Sequence, residues 1–157
     1  MHTLNHTLEE KILDADGRYL DAQGLRSFEQ YIQTYATRLE TYQNLASKSQ
    51  ALIVQALRKL AQSYPELVQK HGQRCQYDMT EVVRYMALSV LRDDETFFKE
   101  QMMSWLDTIL LAHKKQVHCA TAYRHLLDAI NANLPPSNST LLRPYLDSVI
   151  STLQSHA

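Results

Sequence analysis

The stretch "RCQYDMTEVVRYMALSV", residues 74–90, decides the fold. Its apolar residues Met79, Val82, Val83, Met86, Ala87 and Val90 recur three and four apart. That spacing lines one face of an α-helix and does not alternate as a half-buried strand would. The helix is expected to begin near Cys75 and to end in the charged turn "RDDE".

The same period continues toward the C-terminus. Phe97, Phe98, Met102, Trp105, Leu106, Ile109 and Leu110 mark a second helix, and Ala120, Tyr123, Leu126, Leu127 and Ile130 a third, with the basic turn "HKKQ" between them. "NANLPPSNST" reads as a loop, and a last helix runs from Leu141 to about Leu153 with Pro144 in its first turn. Toward the N-terminus, "YPELVQKHGQ" reads as a short connection. Before it, Leu52, Ile53, Ala56, Leu57 and Leu60 form a helix that Ser47 or Ser49 caps and Pro65 interrupts. Leu25, Phe28, Tyr31, Ile32 and Tyr35 share a face of a segment starting at Asp21, which Leu39, Tyr42 and Leu45 extend through a bend. A first short amphipathic helix, Thr3 to about Leu13, is broken at Gly17.

Only three glycines and four prolines in 157 residues agree with long helices, so the fold class is all-α. The length suits one domain over residues 1–157. Seven or eight helices without an internal repeat suit a globin-like packing better than a four-helix bundle.

Sixteen basic against 17 acidic residues suggest neither nucleic acid nor an anionic membrane as a partner. Apolar runs such as "ALIVQAL" fall far short of the roughly 20 residues that span a bilayer, so no membrane insertion is expected. Two cysteines and no signal-like segment point to a reducing cytoplasmic location with both thiols reduced.

No phosphate loop, nucleophile elbow or H-E-x-x-H helix occurs, so no catalytic residue is assigned. His113, His118, Cys119 and His125 raise a metal site, but they offer neither an i, i+4 histidine pair nor C-x-x-C, and no metal is assigned. Met102, Met103 and Trp105 are most simply core.

Cys75 and Asp78 are three apart and so share a helix face, where both can address one bound molecule; Arg84, nine residues on, points the opposite way. The plainer reading is a core thiol and a helix-start aspartate.

The pattern C-x-x-D-M-x-x-x-x-R-Y (Cys75, Asp78, Met79, Arg84, Tyr85) resembles the bilin-attachment helix of the phycobiliproteins, the light-harvesting subunits of phycocyanin and allophycocyanin. "DADGRYL" (14–20), "LRDDETFFKEQMMSWLDTI" (91–109) and "RPYLDSVISTL" (143–153) resemble further family segments in the same order. The resemblance implies a globin-like core (36–157) behind an N-terminal helical hairpin (1–35) that serves subunit pairing.

It also implies a thioether from Cys75 to a linear tetrapyrrole of the phycocyanobilin type, and an Asp78 carboxylate that accepts hydrogen bonds from the central pyrrole N–H groups. Tyr77 stands where the family usually has a propionate-binding arginine, and is expected to stack on or hydrogen-bond the pigment, with Lys70 or Arg74 meeting a propionate. Asp14, Arg84 and Tyr85 match the family's pairing residues, against the alternative of an Asp14–Arg18 pair within one helix. The implied partners are a similar subunit, as homo- or heterodimer, and phycobilisome subunits or linker, on the cytoplasmic face of the thylakoid membrane.

The segment leading into the cysteine helix is shorter than in the family, with Lys70, His71 and Arg74 as candidate replacements for its basic residues. "RDD" (92–94) replaces a turn similar to "AGD", and "HKKQVH" (113–118) a segment that commonly holds Gly-Val-Pro. The missing arginine and short cover favour an alternative, a pigment-free interaction module that regulates, assembles or dismantles antenna complexes; the retained Cys75 and Asp78 oppose it.

Overall fold

Helix α1 spans His6–Ala15 and α2 Ala22–Gln33 in the computed structural model, which describes residues 4–113 and 116–155, without the side chains at 109–113 and 116. The break between them follows from backbone preference. Asp16 (φ 47°) and Gly17 (φ 74°) are both left-handed, a conformation glycine adopts without steric cost, and Asp21 then caps α2 by accepting the Gly24 N–H at 2.8 Å.

Long helices follow: α3 (Tyr35–Ser63), α4 (Pro65–Arg92), α5 (Glu95–Phe98), a π-helical turn (Lys99–Met103), α6 (Ser104–His113), α7 (Gln116–Asn133) and α8 (Pro136–Ser155). Helix α3 packs along α4 and α7, and α7 along α8. The core lies between them, in Leu45, Ile53 and Leu60 of α3, Met79, Val82 and Met86 of α4, Leu126 and Ile130 of α7, and Leu142, Leu146 and Leu153 of α8. This is the expected all-α, globin-like arrangement with a two-helix N-terminal extension. Among the described residues, no helix is long and apolar enough to cross a membrane.

Several boundaries differ from the sequence reading. Ser47 and Ser49 cap nothing; they lie inside α3, where their hydroxyls donate to the carbonyls of Asn44 (3.1 Å) and Ala46 (3.3 Å). Pro65 starts α4 at its first position, so "PELVQKHGQ" is helical and α4 begins ten residues before Cys75. Pro136 starts α8 likewise, which reduces the expected loop to residues 134–135 and places Pro144 in the helix interior. Ile109, Leu110, His113, Lys114 and Lys115 lie outside the described side chains.

The hairpin is held at one corner by polar contacts. Asn5 caps α1 by accepting the Leu8 N–H at 2.9 Å, and its amide donates to the carbonyls of Arg92 (2.9 Å) and Asp93 (2.7 Å). Those carbonyls belong to the C-terminal end of α4, where helix carbonyls lack intrahelical donors. Asp94 caps α5 through the Phe97 N–H at 3.1 Å, and its other oxygen sits 2.7 Å from His6 Nδ1. The hydrogen bond to Asp94 raises the His6 pKa; burial opposes it. Burial pushes the Asp94 carboxyl up, but hydrogen bonds from His6 and the Phe97 and His6 amides outweigh it and leave it below the usual carboxylate range.

Candidate functional site

Starting α4 at Pro65 places Cys75 three turns inside a continuous helix, which fixes where its side chain points. Cys75, Asp78 and Met79 lie at i, i+3 and i+4 and turn together into a cavity between α4 and α7. Leu60 of α3, Leu67 of α4 and Trp105 and Leu106 of α6 supply apolar walls; His118, Cys119, Ala122 and Tyr123 of α7 close the far side. The partly open space is about 50 Å³. An open groove of about 690 Å³, lined by Tyr64, Glu66, Lys70 and His71 among others, adjoins it and shares Leu67 and His118 with it. The rings of Tyr64 and His118 meet edge to face at 4.5 Å.

The polar groups here are placed by the same helix. Arg74 Nε lies 3.1 and 3.2 Å from the two Asp78 oxygens, an i, i+4 pair with the arginine largely exposed and the aspartate largely buried. Tyr77 points outward, 58% exposed, 5.7 Å from the Arg74 guanidinium, and does not line the cavity. Lys70 lines the groove instead of the cavity. The Tyr123 hydroxyl is buried, which pushes its pKa well above the ordinary tyrosine value, and negative charge on Cys119, Asp78 or Cys75 would raise it further.

Of the expected site residues, Cys75 and Asp78 therefore converge, Arg74 joins them through Asp78, and Lys70 and Tyr77 sit outside. Cys119 and Trp105 are cavity walls that were read from the sequence only as a metal candidate and as core. A signal for Cys119 was present in its spacing: Cys119, Ala122 and Tyr123 repeat the i, i+3, i+4 pattern of Cys75, Asp78 and Met79. Among the described residues, no group of three His, Cys, Asp or Glu side chains is placed to hold a metal ion.

Of the expected pairing residues, Asp14 and Arg84 are surface groups, while Tyr85 is half-buried against the core. Asp14 is exposed, and Arg18 donates to the backbone carbonyls of Ala15 (2.9 Å) and Asp14 (3.2 Å). Arg84 is exposed on α4, paired with Glu81 at 2.6 Å and stacked over Tyr85 at 4.6 Å. The hairpin shows apolar side chains to solvent: Ile12, Leu13, Leu25 and Ile32 are all exposed, and no described residue of α1 is buried.

The sequence profile of the family described as "Phycobilisome protein" matches residues 11–153, nearly the whole chain. The chain belongs to the phycobilisome protein family. No curated protein matches it. Within this family frame, the globin-like core and the two-helix extension are those of a phycobiliprotein, and Cys75, Asp78 and Met79 of the pattern read in α4 line the cavity while Arg84 and Tyr85 do not.

Proposed function

We propose that this chain is a phycobiliprotein-like light-harvesting subunit that carries a linear tetrapyrrole on Cys75, holds it with Asp78 and pairs with a similar subunit. One observation carries the reading: a thiol and a carboxylate, one helical turn apart, line the same apolar cavity.

The donor set fits such a pigment. A cysteine in partly exposed, apolar surroundings offers a soft nucleophile for a pyrrole side chain. A carboxylate with a cation beside it, as Asp78 has Arg74, presents acceptor oxygens to pyrrole N–H donors. The cavity alone holds only a water or two, so the pigment would extend past His118 and Leu67 into the adjoining groove, where Lys70 is within the lining and can meet a propionate. Tyr77, from outside, would cover it. When bound, the tetrapyrrole supplies visible-light absorption; the chain supplies attachment, protonation state and a rigid bed.

The whole chain serves as one domain in this reading, with residues 1–35 as the pairing hairpin and 36–157 as the pigment-bearing core. The exposed Ile12, Leu13, Leu25 and Ile32 support pairing, because large apolar side chains left in solvent on the hairpin are best covered by a partner. Asp14 and Arg84 would then meet across the interface. The subunit is not an enzyme and works in the cytoplasm, at the cytoplasmic face of the thylakoid membrane, with phycobilisome subunits or linker.

A second reading, the pigment-free module that binds antenna subunits and regulates, assembles or dismantles them, is favoured by Tyr77 in place of arginine and by the narrow cavity. Production with phycocyanobilin and attachment lyases separates the two. The first requires covalent pigment that Cys75→Ala abolishes while pairing persists; under the second, wild type and C75A are both colourless and pair equally.

A further inference from the structure

Helix α1 buries none of its own residues, so polar contacts at its start carry more of its attachment to the core. Those contacts converge on one carboxylate. The buried Asp94 side chain accepts from the His6 backbone N–H at 3.1 Å and meets His6 Nδ1 at 2.7 Å, with Arg92 Nη2 standing 3.8 Å away. Glu100 of the π-helical turn lies 3.7 Å from the other ring nitrogen, Nε2. Both nitrogens of the ring therefore face carboxylates, and only the imidazolium, with a proton on each, can answer both. Asp93, Glu95 and Lys99 line the groove beside this corner, and Glu9 and Glu10 lie one turn on in α1, so acids outnumber cations around the ring. Arg92 keeps its charge at any pH near neutral and donates to the Leu4 carbonyl at 3.1 Å, which holds the chain just before α1 independently of His6.

We propose that His6 is a proton-operated latch on subunit pairing: protonated, it holds α1 on the corner between α4 and α5 and keeps Ile12 and Leu13 in place for a partner; neutral, it lets α1 loosen and pairing weaken. The link to assembly rests on the pairing reading above. A neutral ring keeps one N–H for Asp94 and loses the charge that draws it to both carboxylates, so α1 loosens without leaving the core, because the Asn5 amide still donates to the carbonyls of Arg92 and Asp93. The hydrogen bond to Asp94 raises the His6 pKa above 6.5, so the latch is closed below that value and opens as pH rises through the higher folded one. Pairing is then strongest in mildly acid solution and weakens in alkaline solution.

The test uses the full chain as wild type, His6→Gln and Asp94→Asn; asparagine keeps a cap on α5, and far-UV circular dichroism checks folding. Hydrogen exchange of the peptide spanning α1, corrected for the intrinsic pH dependence of exchange, is compared with that of α8 at about pH 6 and about pH 8.5, and sedimentation velocity is run on the same samples. The expected result in wild type is a loss of α1 protection of about threefold or more at the higher pH, with α8 unchanged and a matching rise in the dimer dissociation constant. In both variants α1 protection should be the same at the two pH values. Equal α1 protection at both pH values in wild type, or an equal fall in His6→Gln, overturns the latch whatever the chain does in sedimentation. Pairing that ignores pH while α1 loosens overturns the link to assembly. A chain that is monomeric throughout overturns the pairing reading, and the exchange of α1 still decides the latch.

Discussion

Asp94 Oδ2 lies 2.7 Å from His6 Nδ1 and 3.1 Å from the His6 backbone nitrogen, so one buried carboxylate ties the start of α1 to the corner between α4 and α5. The tie is pH-dependent from both sides. His6 has its pKa raised above 6.5, so its contribution is complete below that value and is lost as pH rises through the higher folded one. Asp94 has its pKa lowered below 3.8, so its contribution is present above that value and is lost as pH falls through the lower folded one. The pair should stabilise most between about pH 4 and 6.5. The gap in thermal midpoint between wild type and His6→Gln, measured from pH 4 to 9, should be widest in that window and shrink above it. A gap independent of pH would assign His6 a packing role only.

Arg38 should be the costliest charged residue to remove. It is 1% exposed, and its guanidinium donates to the carbonyls of Leu91 and Tyr31 and to Thr34 Oγ1 while stacking over the Tyr31 ring at 4.2 Å. Arg38→Ala would strand those carbonyls and open a cavity, costing about 2–4 kcal/mol. Urea denaturation checks this; a loss under about 0.5 kcal/mol, the range of ordinary surface substitutions, would contradict it.

The hairpin should matter to assembly and little to folding. Ile32 is 71% exposed and Leu13 69%, so Leu13→Asp and Ile32→Asp should change monomer stability by less than about 0.5 kcal/mol. In sedimentation velocity, both should shift the chain from dimer to monomer, and Arg84→Glu should weaken pairing in the same direction. Pairing unaffected by all three would place the interface elsewhere.

What the sequence made legible, and what it hid, follows from how far each signal reaches. The stripe from Met79 to Val90 and the one from Leu142 to Leu153 could be read because burial imposes a local period. Pro65 and Pro136 were misread because proline both ends and begins helices, and only the packing of the following turn decides which. Arg38 gave no signal: its acceptors are backbone carbonyls, one of them 53 residues away, and no side-chain pattern encodes those. That Cys75 and Asp78 address one cavity was legible because they share one helix. The spacing of Cys119, Ala122 and Tyr123 marked a common helix face, but that this face lies opposite Cys75 was hidden because it depends on how the helices pack.

Asp78 should set the colour of the pigment without being needed for its attachment. Asp78→Asn keeps the shape but removes the charge that favours a protonated tetrapyrrole. The pigment-loaded variant should retain the mass on Cys75, with its red band shifted to shorter wavelength and at least halved relative to its near-ultraviolet band. An unchanged spectrum would remove Asp78 from the site.

The central claim is the bond at Cys75, and peptide mass spectrometry reads it most directly. Full-length chain made in cells that supply phycocyanobilin and a panel of attachment lyases is cleaved after Arg74 and Arg84, and the fragment that begins with Cys75 is weighed beside an absorption spectrum in acidic urea. A pigment-sized increment on that fragment, matched by a tetrapyrrole band in the spectrum, is the predicted result. A bare thiol on folded protein across the whole panel would contradict it and leave the pigment-free partner-binding module as the function of this chain.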